Sequence, residues 1–334
     1  MSGATRLGEL LMQVQPCEFS RSLVIPIYRN EENLPRLFVA LDTLADKFGE
    51  DFEVVFVVDG SPDKSYEAIR ARMDSSPFAV QLVNLSRNFG AFTAIRTGMS
   101  YARGEVIAVM AADLQEPISL IENFFNLLGK DAADVVFGQR AERNDPPLRK
   151  FFANSYWTLY RKLVNSDIPK GGVDVFACNK KVKEALLDIE EPNSSLVAQL
   201  FWVGFRRLFV PYERQQRLEG ESAWNFQKRL RYMVDSIVSF SDFPIMVVLW
   251  LGLTGIALST VVGAITLVSK LLGWIDVQGY TGIVIILLFF GSALLTTQGI
   301  VGCYLWRTFE NTKRRPLSIV QSTIETGGNR DVHS

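Results

Sequence analysis

Four short apolar runs, each followed by small or polar residues and then by a segment of helical length, constrain the fold of the N-terminal third of this chain. In chain order the runs are Ser22–Tyr28, Glu53–Val58, Val80–Leu85 and Glu105–Met110. Strands that are apolar on both faces are typical of parallel sheets, because the connecting helices cover the sheet on each side. The pattern therefore predicts an α/β layered domain with a mostly parallel, Rossmann-like sheet.

The same alternation continues through the middle of the chain. It predicts two more strands, at Asp134–Gly138 and Val173–Cys178. It also predicts a helix at Ser194–Val203 and an extended segment at Phe209–Arg217. Residues 1–20 carry no strong pattern and are interpreted as an N-terminal arm. We therefore expect residues 21–225 to form one domain, of a size typical of a catalytic domain.

Polar residues follow each of the first four predicted strands, at the end of the sheet where ligands bind in open parallel sheets. These segments are Tyr28–Glu31, Asp59–Ser61, Ser86–Gly90 and Ala111–Glu116. A single Asp-Gly-Ser-Pro sequence would be ordinary turn chemistry. Four polar strand ends in succession instead predict a binding site along one edge of the sheet.

Two long apolar runs near the C-terminus predict membrane-crossing helices, since each provides the roughly 20 apolar residues that a crossing needs. We assign them to residues 243–269 and 281–306, joined by an extracytoplasmic loop over 270–280. Basic residues before the first run and after the second predict that both termini and the catalytic domain are cytoplasmic, in a multi-pass protein of the inner (plasma) membrane. A buried helical hairpin is the alternative.

Two segments flank these runs. Residues 226–242 repeat apolar side chains at steps of three and four beside Lys228, Arg229 and Arg231, which predicts an amphipathic helix at the membrane interface. A helix that packs on the catalytic domain is the alternative. Residues 307–334 are interpreted as a basic cytoplasmic tail.

The composition excludes several kinds of chemistry. The net charge of -1 argues against a nucleic-acid partner, which a strongly basic chain would favour. Because His333, near the C-terminus, is the only histidine, a histidine general base and a Ser-His-Asp triad are not expected. The three cysteines are far apart and form no Cys-x-x-Cys pair, which disfavours a structural zinc site and a disulfide framework.

Six motifs follow one another along the chain: Val24–Asn33, Asp59–Ser61, Leu85–Gly90, Ala112–Pro117, Trp202–Gly204 and Arg217–Ser222. In order and spacing they resemble the family-2 glycosyltransferases that act on polyprenyl phosphates. The resemblance implies a GT-A catalytic fold with helices on both faces of the sheet. It also implies inverting transfer of a sugar from a nucleotide sugar to polyprenyl (undecaprenyl) phosphate, which gives a polyprenyl-phosphate sugar.

The resemblance implies roles for individual residues. It assigns nucleotide binding to Pro26, Tyr28, Glu31, Asp59, Ser86, Asn88, Gly90 and Ala112. It assigns catalysis to Asp113, Glu116 and Asp174, a loop that closes over the diphosphate to Arg217 and Ser222, and the acceptor phosphate to Arg140 and Arg149. No strong base is required, because a phosphate monoester is already ionised at neutral pH.

A divalent cation is the expected cofactor. Asp113 and Gln115 offer the hard oxygen ligands that Mg²⁺ or Mn²⁺ prefers. The sequence departs from the family pattern at two positions, since Val58 and Ala111 stand where the family usually has an aspartate. The loss of a carboxylate at Ala111 should weaken binding of the cation or move the cation toward Gln115 and Glu116.

Two alternatives stay open. Val58 and Ala111 suggest a catalytically weak or inactive homologue that binds nucleotide sugars. A processive polysaccharide synthase is the other alternative, although the sequence lacks a Gln-x-x-Arg-Trp pattern. Besides the nucleotide sugar and the polyprenyl phosphate, the expected partners are the membrane, further copies of this chain in a homo-oligomer, and a flippase and a downstream transferase for the product.

Overall fold

The computed structural model of the protein describes residues 20–140, 167–169, 173–191, 194–215, 280–313 and 315–326, with a few isolated residues between 158 and 272. Its strands are β1 (Arg21–Ile27), β2 (Phe52–Val58), β3 (Ala79–Leu85), β4 (Val106–Val109), β5 (Val135–Arg140), β6 (Val173–Asn179), β7 (Arg207–Tyr212) and β8 (Val320–Glu325). They form one eight-stranded sheet in the order β7-β5-β6-β4-β1-β2-β3-β8.

The centre of the sheet is parallel. β1 pairs in parallel with β2 and with β4, and β2 pairs in parallel with β3. β6 pairs antiparallel with β4 and β5, so β5 and its parallel partner β7 run in the direction of the central strands. This confirms the predicted mostly parallel α/β sheet. The loops that follow β1 to β4 consequently share one side of the sheet, which we term the strand-end edge.

Helices cover both faces of the sheet. They are α1 (Leu34–Phe48), α2 (Ser65–Met73), α3 (Ala91–Tyr101), α4 (Ile118–Gly129), α5 (Lys180–Leu187) and α6 (Leu196–Trp202). A further helix, α7 (Tyr280–Thr312), precedes β8 in the chain. Phe56 and Val58 of β2 pack with α1, α2 and α4, whereas Val55 and Val57 pack with α3, α5 and α6. Because both faces are covered, every residue of β2 is buried, which explains its uninterrupted apolar sequence.

One strand lies beyond the predicted catalytic segment. β8 falls within residues 307–334, which the sequence analysis interpreted as a tail, and it pairs antiparallel with β3 at the border of the sheet. Its sequence, VQSTIE, is only partly buried, so no apolar run marks it as a strand. The catalytic sheet is therefore completed by a segment that follows α7.

None of the helices in the described part of the chain is long and apolar enough to cross a membrane. This finding contradicts the prediction of two membrane-crossing helices in a multi-pass inner-membrane protein, since a crossing needs about 20 consecutive apolar residues. Residues 226–280 lie largely outside the described residues. They hold the predicted interface helix, the first predicted crossing and the predicted loop. The N-terminal arm also lies largely outside the described residues. The predicted second crossing, 281–306, falls within α7, whose side chains are described only in part.

Candidate active site

Asp63 connects the loop after β2 to the loop after β1 through hydrogen bonds. Its carboxylate accepts hydrogen bonds from the hydroxyls of Ser61 (2.5 Å) and Ser65 (2.9 Å) and from the backbone N–H of Glu31 (3.1 Å). The Glu31 carboxylate in turn accepts from the backbone N–H of Lys64 (3.0 Å). Burial raises the pKa of Asp63, but these hydrogen bonds outweigh it and hold that pKa below its usual value. Glu31, predicted to bind the nucleotide, is thus fixed in place by the neighbouring loop.

Asp59, at the end of β2, holds the loop after β3. It is 2% exposed, and its two carboxylate oxygens accept hydrogen bonds from the backbone N–H groups of Phe89 (2.7 Å) and Gly90 (2.8 Å). Burial raises the pKa of Asp59, and the two hydrogen bonds and the positive charge of Arg87 only partly offset this. Besides its predicted contact with a nucleotide, Asp59 therefore shapes residues 86–90, which we term the nucleotide loop.

Gly60 lets the loop after β2 lie directly against the nucleotide loop. Its φ is +55°, and a Cβ at this position would lie 2.3 Å from the backbone carbon of Arg87 and 2.5 Å from the backbone nitrogen of Asn88. No side chain fits between these two stretches of backbone. The side chains of Ser86 and Asn88 remain exposed at the strand-end edge.

The loop after β4 carries Asp113 on a tight turn. Leu114 adopts a φ of 53°, which is uncommon for a residue other than glycine. The backbone N–H of Gln115 donates to the Asp113 carboxylate (3.4 Å). Ala112 and Glu116, on either side of this turn, are each 2% exposed. The turn thus presents a partly exposed Asp113 between two buried neighbours.

Gln115 links this loop to the residues after β7. Its backbone carbonyl accepts from the backbone N–H of Gln215 (2.9 Å), and its side-chain amide donates to the Gln215 carbonyl (3.5 Å). Its side-chain oxygen accepts a hydrogen bond from the guanidinium of Arg214. A cation at that oxygen would be repelled by the guanidinium charge, which argues against the predicted metal role of Gln115. The sequence analysis missed Arg214, because no motif includes it.

Asp59 and Asp113 lie at the same edge with β1 between them. Neighbouring strands are about 4.8 Å apart, so the ends of β2 and β4 are separated by about 10 Å. Pro26, which pairs in register with Val57 near the end of β1, and Tyr28, just beyond that strand, belong to the intervening segment. Asp59, predicted to bind the nucleotide, and Asp113, predicted to act in catalysis, thus lie at the ends of strands that are separated only by β1.

The strand-end edge continues onto β5 and β6. Arg140 is the last residue of β5 and pairs in register with Tyr212 of β7. β6 runs in the opposite direction, so Asp174, its second residue, lies at this same edge. Arg149, Arg217 and Ser222 lie outside the described residues. The structure thus gathers along one edge every predicted site residue that it describes.

Within the part of the chain that the structure describes, the carboxylate of Asp113 is a candidate ligand for a divalent cation at this edge. Among the described residues there is no group of three or more His, Cys, Asp or Glu side chains that could hold a metal ion. Asp113 is a partly exposed acid of the β4 loop, while the side-chain oxygen of Gln115 accepts a hydrogen bond from Arg214. Mg²⁺ commonly binds one or two carboxylates together with substrate phosphates. The residues therefore fit a cation that binds with a diphosphate rather than one held by the protein alone.

The sequence matches known proteins over most of its length. The sequence model for Glycosyl transferase family 2 matches residues 22–188, which include β1 except its first residue, β2 to β6, and the loops that follow β1 to β4. An uncharacterized glycosyltransferase of Synechocystis sp. is 31% identical over 300 residues, which are 90% of this chain and 94% of that protein. The chain belongs to glycosyl transferase family 2. It is accordingly a sugar-transferring enzyme whose mostly parallel α/β domain is of the GT-A type.

Two further relatives of this family-2 glycosyltransferase have more specific names. A prophage bactoprenol glucosyl transferase homolog of Escherichia coli K12 is 30% identical over 301 residues, and the bactoprenol glucosyl transferase of Shigella phage SfV is 30% identical over 302. Each alignment covers 90% of this chain and 98% of the relative. A solved structure of a mannosyltransferase of Pyrobaculum calidifontis, in complex with GDP-Man and Mn²⁺, superposes on this chain with a TM-score of 0.42. The match covers 64% of this chain and 60% of that chain at 17% identity. This similarity is too distant to bear on function.

Proposed function

We propose that this family-2 glycosyltransferase moves a sugar from a nucleotide sugar onto a polyprenyl phosphate, with inversion at the anomeric carbon. The observation that carries the proposal is the 30% identity to two proteins named for bactoprenol glucosyl transfer, across 98% of the length of each. Identity over nearly whole chains supports a shared acceptor class as well as a shared catalytic domain.

The geometry of the donor side supports the same proposal. Hydrogen bonds to Asp59 and Asp63 connect the loops after β1, β2 and β3 in the protein itself. Loops that are already ordered lose little conformational entropy when a ligand binds, so more of the interaction energy appears as affinity. We infer that the exposed side chains of Ser86 and Asn88, together with Tyr28, contact the base and ribose of the donor.

The proposed reaction is a single displacement. An oxygen of the acceptor phosphate forms a bond to the anomeric carbon while the bond from that carbon to the nucleoside diphosphate breaks. The phosphate is ionised at neutral pH, so its attack needs no strong base. We infer that Arg140 binds the acceptor phosphate, since a guanidinium matches phosphate oxygens. Asp113 would hold a divalent cation, which when bound neutralises charge on the departing diphosphate.

A transfer assay tests the proposal. Purified protein in detergent is mixed with undecaprenyl phosphate and with radiolabelled UDP-glucose, UDP-N-acetylglucosamine, GDP-mannose or dTDP-rhamnose. One donor should give a labelled lipid that carries a single sugar. The absence of labelled lipid with every donor would contradict the proposal. A labelled polymer would instead support a processive synthase, and nucleotide binding without transfer would support an inactive homologue.

A further inference from the structure

The C-terminal strap, which we define as residues 315–326, reaches the nucleotide loop from the border of the sheet. It contains β8, whose pairing with β3 runs from Glu325 opposite Gln81 to Val320 opposite Leu85. The two strands are antiparallel, so the residues before β8 lie beside those that follow β3. The family match ends before this strap, at residue 188.

Two contacts connect the strap to the nucleotide loop and to the helix behind it. The backbone N–H of Ser86, the first residue of the loop, donates to the carbonyl of Ile319 (3.0 Å). The hydroxyls of Ser318 and Thr97 lie 2.7 Å apart. Thr97 belongs to α3, which begins directly after the loop. The strap therefore contacts the backbone of the first residue of the loop and a side chain of the helix that follows the loop.

The direction of the hydroxyl contact follows from the second partner of Thr97. A hydroxyl has one hydrogen to donate, and that of Thr97 points to the carbonyl of Thr93 (2.9 Å). Ser318 is therefore the donor to Thr97. Because Thr97 is 7% exposed, water cannot readily replace Ser318 as the donor.

The nucleotide loop is thus supported at two points. Asp59 accepts from the backbone N–H groups of its last two residues, Phe89 and Gly90, and the strap accepts from the N–H of its first residue. The exposed side chains of the loop lie between these two supports. Loss of the support at the strap should let the first half of the loop fluctuate while Asp59 still holds the second half.

We propose that Ser318 is a positioning residue of the donor site: it donates to Thr97 while its neighbour Ile319 accepts from Ser86, and the strap thereby holds the nucleotide loop in its binding shape. The inference rests on the proposed function, in which this loop contacts the donor. It assigns a part of the donor site to a segment outside the matched family region.

The experiment compares Ser318→Ala with a matched control, Thr326→Val. Thr326 lies at the other end of the strap, where its hydroxyl oxygen accepts from the backbone N–H of Val80 (3.0 Å) at the start of β3. Both variants remove one hydroxyl contact of the strap, with α3 in Ser318→Ala and with β3 in Thr326→Val. Only Ser318→Ala removes it beside the nucleotide loop, and Ser318→Thr restores a hydroxyl there.

Hydrogen exchange and nucleotide titration provide the readouts. In Ser318→Ala, the amides of the peptide that contains residues 86–90 should exchange about threefold faster or more, and the Kd for UDP or GDP with Mg²⁺ should rise about three- to tenfold. Thr326→Val should speed exchange near Val80 and leave the Kd within about twofold of wild type. Ser318→Thr should behave as wild type in both measurements.

The outcomes separate the inference from the proposed function. Unchanged exchange at residues 86–90 in Ser318→Ala would overturn the inference, as would equal changes of exchange and Kd in the two variants, because both would then act through global stability. Exchange requires no ligand. A wild-type protein that binds neither nucleotide would therefore count against the proposed function, while the exchange result would still decide whether the strap holds the loop.

Discussion

The carboxylate of Asp59 and the backbone N–H of Gly90 are joined by a hydrogen bond of 2.8 Å across two neighbouring strand ends. Gly90 has a φ of 98° and immediately precedes the first residue of α3. The second oxygen of the same carboxylate accepts from Phe89. One buried side chain thus fixes the backbone at the point where the nucleotide loop becomes a helix, so the shape of that loop depends on a neighbouring strand.

Asp59→Asn should weaken donor binding. An asparagine keeps one acceptor oxygen but directs an NH₂ group at the second backbone N–H, which leaves that donor unsatisfied. Such a loss is worth about 1–3 kcal/mol, so the Kd for the nucleotide should rise about tenfold or more in a calorimetric titration. Asp51→Asn is the matched control, since Asp51 is an exposed acid just before the opposite end of β2. Equal affinities for the two variants would contradict the role given to Asp59.

The raised pKa of Asp59 predicts the sign of a pH effect on stability. A carboxyl whose pKa is higher in the folded state binds its proton more tightly there, so its contribution to stability falls as pH rises from its usual pKa of 3.8 through the folded-state pKa. The asparagine variant lacks this titration. The free energy of unfolding of the wild type minus that of Asp59→Asn should therefore decrease over this range, measured by denaturant titrations at several pH values. A difference that grows with pH would show that hydrogen bonds outweigh burial.

Gly60→Ala should disrupt the site far more than Gly49→Ala. Both glycines have a positive φ, but an added Cβ meets nothing within 4 Å at Gly49 and overlaps the backbone of Arg87 and Asn88 at Gly60. The Gly49 variant therefore measures backbone strain alone, about 1–3 kcal/mol, since its φ of 63° and ψ of -142° lie near a region that is essentially limited to glycine. The Gly60 variant should lose about 1–3 kcal/mol more and should fail to bind nucleotide, as measured by thermal denaturation and titration. Similar melting temperatures for the two variants would exclude the predicted overlap.

The sheet could be predicted because its central strands are buried on both faces and read as continuous apolar runs. The sequence predicts β2 at residues 53–58, and the structure has it at Phe52–Val58. The strand predicted at Val173–Cys178 is β6, which ends one residue later, at Asn179. β8 could not be predicted in this way. It lies at the border of the sheet and is only partly buried, so its sequence carries no comparable apolar signal. Its position is decided by pairing with a strand far away in the chain.

For the site, the sequence predicts which loops contribute residues but not the hydrogen bonds that shape those loops. The order of strands brings the polar segments together, and that order follows from parallel pairing. The hydrogen bonds that shape those loops depend on side chains far apart in sequence, as in the contact between Arg214 and Gln115. Arg96 is another example: it is buried, and its guanidinium donates to the carbonyls of Leu186 and Ile189, where it joins α3 to the end of α5. Nothing in its local sequence predicts those partners.

Asp113→Asn should abolish most of the transfer activity and leave nucleotide binding in the absence of a cation unchanged. If Asp113 holds the cation beside the diphosphate, the loss of its charge should lower the transfer rate by two or more orders of magnitude, about 3 kcal/mol of barrier. The wild-type rate should fall on chelation of divalent cations and return with Mg²⁺ or Mn²⁺. Asp46→Asn, at an exposed acid of α1, is the control for a change of one charge. Because Ala111 provides no second carboxylate, the variant should not be rescued by a higher cation concentration, and an unchanged rate would remove Asp113 from the mechanism.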